Sequence, residues 1–348
     1  MRAMSTDPPL PEVLAAYGLE SASIEPISIG LINQTYLLTA GSKRVILQRL
    51  HPIFRGEVNL DIDAITERLA QQGLTTPRLI RTGDGAPFVA VDDGVYRVLT
   101  FVPGRTIEKV PNPAVARAAG DLIGRFHIAL RDFDHDFHFS RPGAHDTPRH
   151  LETLRQALDE HREHPNADAV LPLGHAIVAH GEGLPEVPEL PDRIIHGDLK
   201  ISNLLFDDDL TAARALVDLD TMAKSTLAIE LGDALRSWCN PAGEESTATL
   251  DEAIFEGAIT GYADTAGSML TDDEVNSLVP GFETIALELA ARFAADALNE
   301  NYFGWDETRF PSRSEHNRVR AASQLSLAVA VRDARGRLEE IVVAAFRR

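Results

Sequence analysis

Strand-like sequence gives way to helical sequence at Pro103-Gly104, and that single change of period limits the chain to a two-part fold. Before it, "ASIEPISIGLINQTYLLTAGSKRVILQRL" alternates apolar and polar residues, breaks at Gly30, resumes from Thr35 to Leu38, turns at Gly41-Ser42 and continues from Val45 to Leu50. These are consecutive antiparallel strands. A helix-like piece precedes them around Pro11 to Tyr17. "NLDIDAITERLAQQG" follows them, with Leu60, Ile62, Ile65 and Leu69 near one helical face and Gly73 as C-cap. "TPRLIRTGDGAPFVAVDDGVYRVLTFVPGR" adds short strands with Gly-containing turns. Beyond it, "NPAVARAAGDLIGRFHIALRDF" opens with an Asn cap and a Pro, and "VPGFETIALELAARFAADALNENYF" and "RVRAASQLSLAVAVRDARGRLEEIVVAAF" read as long apolar-faced helices. The expected fold is α+β in two lobes: a small β-rich lobe over 1–103, and a larger, mainly helical lobe over 104–348.

Composition removes several classes of function. With 53 acidic and 33 basic residues the formal charge is −20, which repels a phosphate backbone over most of the surface, so no nucleic-acid partner is expected. The lone Cys239 excludes an intramolecular disulfide framework and a Cys-based zinc cluster, and reads as a small buried residue beside Trp238. No apolar run approaches bilayer length, and "MRAMSTDPPLPEV" lacks a continuous apolar segment. The expectation is a soluble, cytoplasmic protein with no membrane partner; oligomeric state is not legible.

The densest chemistry lies in "IIHGDLKISNLLFD", residues 194–207, which carries His196, Asp198, Lys200 and Asn203 between two apolar runs. As structure alone it is a hairpin turn formed by Asp and Asn. Its surroundings favour more. The strand "LLF" is followed by an acidic turn and a second apolar strand, "ALVDL", that ends in Asp218. Such a hairpin brings Asn203 and Asp218 to one mouth, where an amide oxygen and a carboxylate suit Mg²⁺ already carrying phosphate oxygens and water. Asp198, five residues before Asn203, can accept or orient a hydroxyl proton on the same loop. That division of labour serves phosphoryl transfer, which depends mainly on positioning and electrostatics.

The stretch resembles the catalytic loop of the aminoglycoside phosphotransferase and choline kinase superfamily, relatives of protein kinases, whose His-x-Asp-x-x-x-x-Asn loop and later metal-binding Asp match His196, Asp198, Asn203 and Asp218. The resemblance implies a protein-kinase-like fold and ATP and Mg²⁺ as cofactors. It makes Asp198 the catalytic base or orienter and Asn203 and Asp218 the metal ligands, with Lys200 near the transferring phosphoryl and His196 bracing the loop. In the small lobe "ISIGLINQTYLL" resembles the phosphate-covering hairpin, with Gly30 at the bend and Asn33 near the phosphates, although neither a repeated-Gly loop nor a Walker A sequence is present. Gln48 falls where related kinases place a strand lysine, with Arg49 beside it. Asp61, Asp63 and Glu67 are all candidates for the helix partner. "RVLTFVPG" resembles the hinge, with the backbone near Thr100 and Val102 meeting adenine.

The short span from Asp218 to Asp233 leaves no room for a peptide platform, so a small-molecule hydroxyl acceptor is expected. "VDLDT", "GLINQTYLL", "VILQRLHPIF", "RPGAHDTPRH" and "RFAADALNENYF" followed by "EHNRVRAASQLSLA" are similar to N-acetylhexosamine 1-kinases, which implies a sugar acceptor with His145 and Asp146 beside it. Departures are Gly197, where such a kinase has Asn, and the segment "ENYFGWDETRFPSRS". Asp146 equally suits a helix N-cap before "TPRHLETLRQAL". The histidines at 135, 138, 145 and 150 match no compact metal-ligand spacing and read as solvated or capping residues. Alternatives are a choline, homoserine or aminoglycoside kinase, and a nucleotide-binding protein without turnover, the last suggested by the missing strand lysine.

Overall fold

The structure, a computed structural model, describes residues 11–27, 33–141 and 143–347; Gly30 lies outside the described residues. The small lobe is an antiparallel sheet of β1 (Ser23–Ile27), β2 (Gln34–Ala40), β3 (Lys43–Arg49), β4 (Leu79–Ile80), β5 (Val89–Val91) and β6 (Gly94–Thr100), in the order β1-β2-β3-β6-β4 with β5 also on β6. Strand alternation divides its residues between two faces. Tyr36, Leu38, Val45, Leu47, Tyr96 and Val98 close over Val13 and Leu14 of α1 (Pro11–Ala16) to form a separate apolar core. On the other face a row across three strands, Thr35, Gln48 and Arg97, is in register. That face looks toward the large lobe.

α2 (Val58–Gln71) buries Val58, Ile62, Ile65 and Leu69, joining the core of the large lobe. Leu60, expected on that face, is exposed because it lies two residues, about 200°, around the helix from Ile62. Gly73 follows at φ +80°, the left-handed conformation that ends helices.

The large lobe runs α3 (Pro113–Leu130), α4 (Thr147–Glu160), α5 (Ala167–Gly181), β7 (Arg193–Ile195), β8 (Leu204–Phe206), β9 (Ala213–Leu216), β10 (Ala223–Ser225), α6 (Leu227–Trp238), α7 (Glu252–Ala266), α8 (Asp272–Asn276), α9 (Leu278–Asn299) and α10 (Arg313–Phe346). Asn112 caps α3 as its sequence predicts, its side chain accepting from the amides of Ala114 and Val115. Backbone-close helix crossings fix the layout. A Cβ at Gly281 of α9 would lie 2.2 Å from the Ala228 carbonyl oxygen of α6, and one at Gly232 of α6 would lie 2.6 Å from the Gly281 carbonyl oxygen. α6 thus presses on α9 without intervening side chains. Cys239 and Trp238 are buried at the end of α6, and burial pushes the Cys239 thiol up. No described helix is long and apolar enough to cross a membrane. The architecture is the two-lobed, protein-kinase-like α+β fold.

Candidate active site

The loop between β7 and β8 is held from behind by one face of α6. Glu230 accepts from the backbone amides of His196 (2.7 Å) and Gly197 (2.9 Å), Asp233 from Leu199 (3.0 Å) and Ser237 from Ile201 (3.2 Å), while the Trp238 indole donates to the Leu199 carbonyl (2.8 Å). The spacing of these residues puts them along one side of a helix. Burial alone would raise the Glu230 carboxyl, but the His127 ring, its Nε2 3.5 Å away, and the Gly197 amide hold it below the usual range. His196 is fully buried; its Nδ1 accepts from the Asp198 amide and its Nε2 meets the Val217 carbonyl at 2.9 Å, which fixes the Nε2-H tautomer. It ties the loop to the strand end that delivers Asp218. Gly197 has φ +76°, and a Cβ there would sit 2.5 Å from the Thr221 carbonyl oxygen, so only glycine fits.

Ahead of this brace, the expected residues converge. Lys200 Nζ donates to Asp198 Oδ2 at 2.7 Å and lies 4.0 Å from Asp218 Oδ2; Asn203 Nδ2 donates to the Asp198 carbonyl oxygen (2.8 Å) and to its Oδ2 (3.1 Å). Asp218 adopts φ 63°, ψ 56°, a left-handed conformation that is strained outside glycine, Asn and Asp. The two carboxyls are pushed apart. For Asp198 burial works upward, yet the charge and hydrogen bond of Lys200, with the charge of Arg236, hold the group below its ordinary value. For Asp218 burial, Asp220 and Asp198 all push upward, and Lys200 offsets them only in part. Lys200 is raised: burial favours its neutral form, but Asp198 and Asp218 outweigh it.

Across the lobe boundary the structure supplies a cation that sequence reading missed. Arg97 of β6 is 1 % exposed and pairs with Asp220 through both terminal nitrogens (2.5 and 2.8 Å), while Gln48 Oε1 accepts from its Nε (2.9 Å) and Nη2 (2.7 Å) and Asn59 Oδ1 from its Nη1 (3.3 Å). Asn33 joins the same cluster, its Nδ2 on Asp220 (2.6 Å) and its Oδ1 accepting the His51 amide (2.9 Å). Gln48 and Asn33 are therefore engaged at the lobe boundary, and Arg49 turns to the carbonyl of Asp93. None of the three acidic candidates on α2 meets them: Asp63 pairs with Arg81, Glu67 with Arg78, and Asp61 with His135 and His138. At the hinge, the Thr100 amide donates to the Arg78 carbonyl (2.8 Å) and its hydroxyl accepts the Arg78 amide (3.0 Å), so Thr100 is tied to the neighbouring strand. A charged residue at an inward position of "VYRVLT" was the available signal for Arg97.

Asp198 also lines a cavity of about 1380 Å³ that extends to His145, Asp146, Thr147, Glu288, Arg292 and Tyr302. His145 Nδ1 meets Glu288 at 3.1 Å, and Thr147 donates to the other Glu288 oxygen at 2.7 Å. Burial would lower His145, but Glu288 raises it above its ordinary value of 6.5. Asp146 is the N-cap of α4, accepting the Arg149 amide at 3.1 Å, so it has the structural role that its position allowed as well as a place on the cavity wall. Buried Asp296 gathers the amides of Asn301, Tyr302 and Phe303 and so shapes the departing segment that puts Tyr302 on the rim. His150 bonds the Ala144 carbonyl and is not a cavity ligand.

The sequence pattern that defines the phosphotransferase enzyme family matches residues 23–267. The chain belongs to that family. Among curated proteins, this phosphotransferase is 24% identical to a homoserine kinase of Zymomonas mobilis over 288 residues, covering 80% of this chain and 82% of the relative. It is 27% identical to a homoserine kinase of Bradyrhizobium over 259 residues, 71% and 73% of the two chains. Among solved structures it is similar to an aminoglycoside phosphotransferase from Alicyclobacillus acidocaldarius (TM-score 0.66, 17% identity, 97% and 99% covered). A microcompartment-associated aminopropanol kinase is similar too (TM-score 0.63, 18% identity, 93% and 97% covered). These structural likenesses establish the fold. Within it, the phosphotransferase carries its loop brace, Glu230, Asp233 and Ser237, in the stretch "ELGDALRSW", whose regular spacing of polar groups was legible as a helix face but not as a contact.

Proposed function

We propose that the protein is an ATP- and Mg²⁺-dependent kinase that phosphorylates a hydroxyl of a small polar acceptor, with 1–103 as nucleotide-binding lobe and 104–348 as catalytic and acceptor-binding lobe. The observation that carries this reading is the convergence of Asp198, Lys200, Asn203 and Asp218 beside a cavity with ample room for a small acceptor. The donor set suits Mg²⁺: Asp218 sits in an excess of negative charge, and Asn203, whose Nδ2 is spent on Asp198, keeps its Oδ1 for a hard cation. When bound there, the ion neutralises and aligns the triphosphate. Asp198, kept ionised, takes the hydroxyl proton as the acceptor oxygen bonds to the γ-phosphorus and ADP leaves with the electrons of the broken P–O bond. Lys200 meets the charge on the transferring group, and Arg97 holds the Asp218–Asp220 segment to the sheet in place of a strand lysine.

For the acceptor we favour an N-acetylhexosamine or related reducing sugar. Three cations on the cavity wall are paired with carboxylates, Arg155 with Glu152, Arg236 with Asp233 and Glu244, and Lys224 with Asp134, whereas Arg141 meets the neutral Tyr302 hydroxyl and Arg292 lies 3.9 Å from Glu288. An amino acid would draw on Arg141 or Arg292 for its carboxylate, whereas a neutral polyol needs directional hydrogen bonds and an apolar platform. His145, Asp146 and Glu288 offer the first, Tyr302 and Phe303 the second. The second reading is homoserine, favoured by the curated relatives of that name. Acceptor-dependent ADP release across hexoses, N-acetylhexosamines, homoserine, choline and aminoglycosides tests both. Turnover of an N-acetylhexosamine with phosphate at the anomeric oxygen is expected. Turnover of homoserine and no sugar overturns the sugar reading, and Mg-ATP binding without turnover of any acceptor leaves a nucleotide-binding protein.

A further inference from the structure

We propose that Asp61, His135 and His138 form a transition-metal site, of the kind that takes Zn²⁺, which fastens α2 of the small lobe to the loop after α3. The three side chains each present a ligand atom within 4.8 Å of the others. Asp61 is buried, and among the described residues no lysine or arginine pairs with it. A buried carboxylate requires a balancing cation or a full set of donors, and here the donors are badly distributed. His135 Nε2 (2.8 Å), His138 Nδ1 (3.0 Å) and the His138 amide (2.9 Å) all converge on Oδ1, while Oδ2 receives only the Phe139 amide (3.0 Å). One carboxylate oxygen has two lone pairs for three N–H groups. An ion among the three side chains removes the conflict, because both imidazoles then present lone pairs instead of protons.

The spacing is close to that of such an ion. Tetrahedral metal bonds of about 2.1 Å place neighbouring ligand atoms roughly 3.4 Å apart, and the Asp61–histidine separations of 2.8 and 3.0 Å fall a few tenths of an ångström short of that, so the side chains open slightly to admit it. Two imidazoles and a carboxylate select a borderline transition metal over Mg²⁺. The surroundings supply what a metal site requires. The Phe139 amide fixes the carboxylate, the His135 ring stacks on Phe133 and meets the edge of Phe137, and the His138 side chain, 50% exposed, leaves an entry path and room for water ligands. The chain spacing of the histidines hid this site because its third member comes from a helix 74 residues earlier.

The test is titration of the full-length, chelator-stripped protein with Zn²⁺ and with Co²⁺ in excess Mg²⁺, for wild type, His135→Ala and His138→Ala. The expected result is one equivalent bound per chain, with visible Co²⁺ absorption bands of nitrogen ligation and affinity lowered more than about 100-fold in each variant. His138 is half exposed on a loop, so His138→Ala keeps the fold, which far-ultraviolet circular dichroism verifies. Absence of stoichiometric binding by the wild type, or equal affinity in His138→Ala, overturns the proposal and leaves a hydrogen-bonded Asp–His cluster. The readout requires no turnover, so it stands or fails separately from the kinase reading.

Discussion

Asp198 and Asp218 are two carboxyls on one small site whose surroundings push them in opposite directions, and each direction has a measurable consequence. Asp198→Asn is expected to lower turnover by about 10²–10⁴ while Mg-ATP affinity, measured by calorimetry, stays near wild type, since a base or orienting group does not hold the nucleotide. Near wild-type turnover would remove Asp198 from its role. The acid limb of the rate profile is expected to belong to the other group. Asp218 is raised above its ordinary 3.8 and Asp198 lowered below it, so falling pH protonates Asp218 first. Protons and Mg²⁺ then compete for the same oxygens, and raising Mg²⁺ should move the acid limb of kcat/KM to lower pH. A limb that does not respond to Mg²⁺ assigns it elsewhere.

Elements transmit these requirements through backbone contacts. α6 braces the loop on one side and lies on α9 on the other, and α9 carries Glu288 into the cavity. Gly281→Ala puts a methyl group 2.2 Å from the Ala228 carbonyl oxygen, so the helices must part. The expected cost is about 1–3 kcal/mol in denaturant unfolding, together with a fall in kcat, because the loop amides held by Glu230 and Asp233 shift with α6. An unchanged midpoint would mean that the crossing yields without strain. At this scale the sequence was informative where period and punctuation act locally: the strands of the small lobe, the Asn112 cap, and the hairpin that brings Asn203 and Asp218 together. It was silent where a partner comes from a distant segment. Glu230 and His196, Glu288 and His145, and Asp61 and His138 are pairs between a helix carboxylate and a loop from elsewhere in the chain, which no local pattern encodes.

The molecule as a whole is joined at a buried charge pair. Removing one partner of such a pair leaves the other unpaired and costs about 3–5 kcal/mol, so Arg97→Ala should lower stability strongly and weaken Mg-ATP binding with it, as Asp220 and the neighbouring Asp218 lose their anchor on the sheet. Gln48→Lys added to Arg97→Gln returns a cation to the same cross-strand position and should recover part of both, read by denaturant midpoint and calorimetry. No recovery would mean that the planar fork of arginine, not its charge, is required. The pair also bears on how the chain is made. Arg97 and Asp220 are 123 residues apart, an interval that takes roughly 6–25 s to synthesise. The small lobe emerges first, yet through that interval its central guanidinium has only the neutral oxygens of Gln48 and Asn59 to meet. A nascent chain that ends before Asp220 therefore holds a sheet with an uncompensated inner face, and the first lobe to leave the ribosome is among the last to be completed.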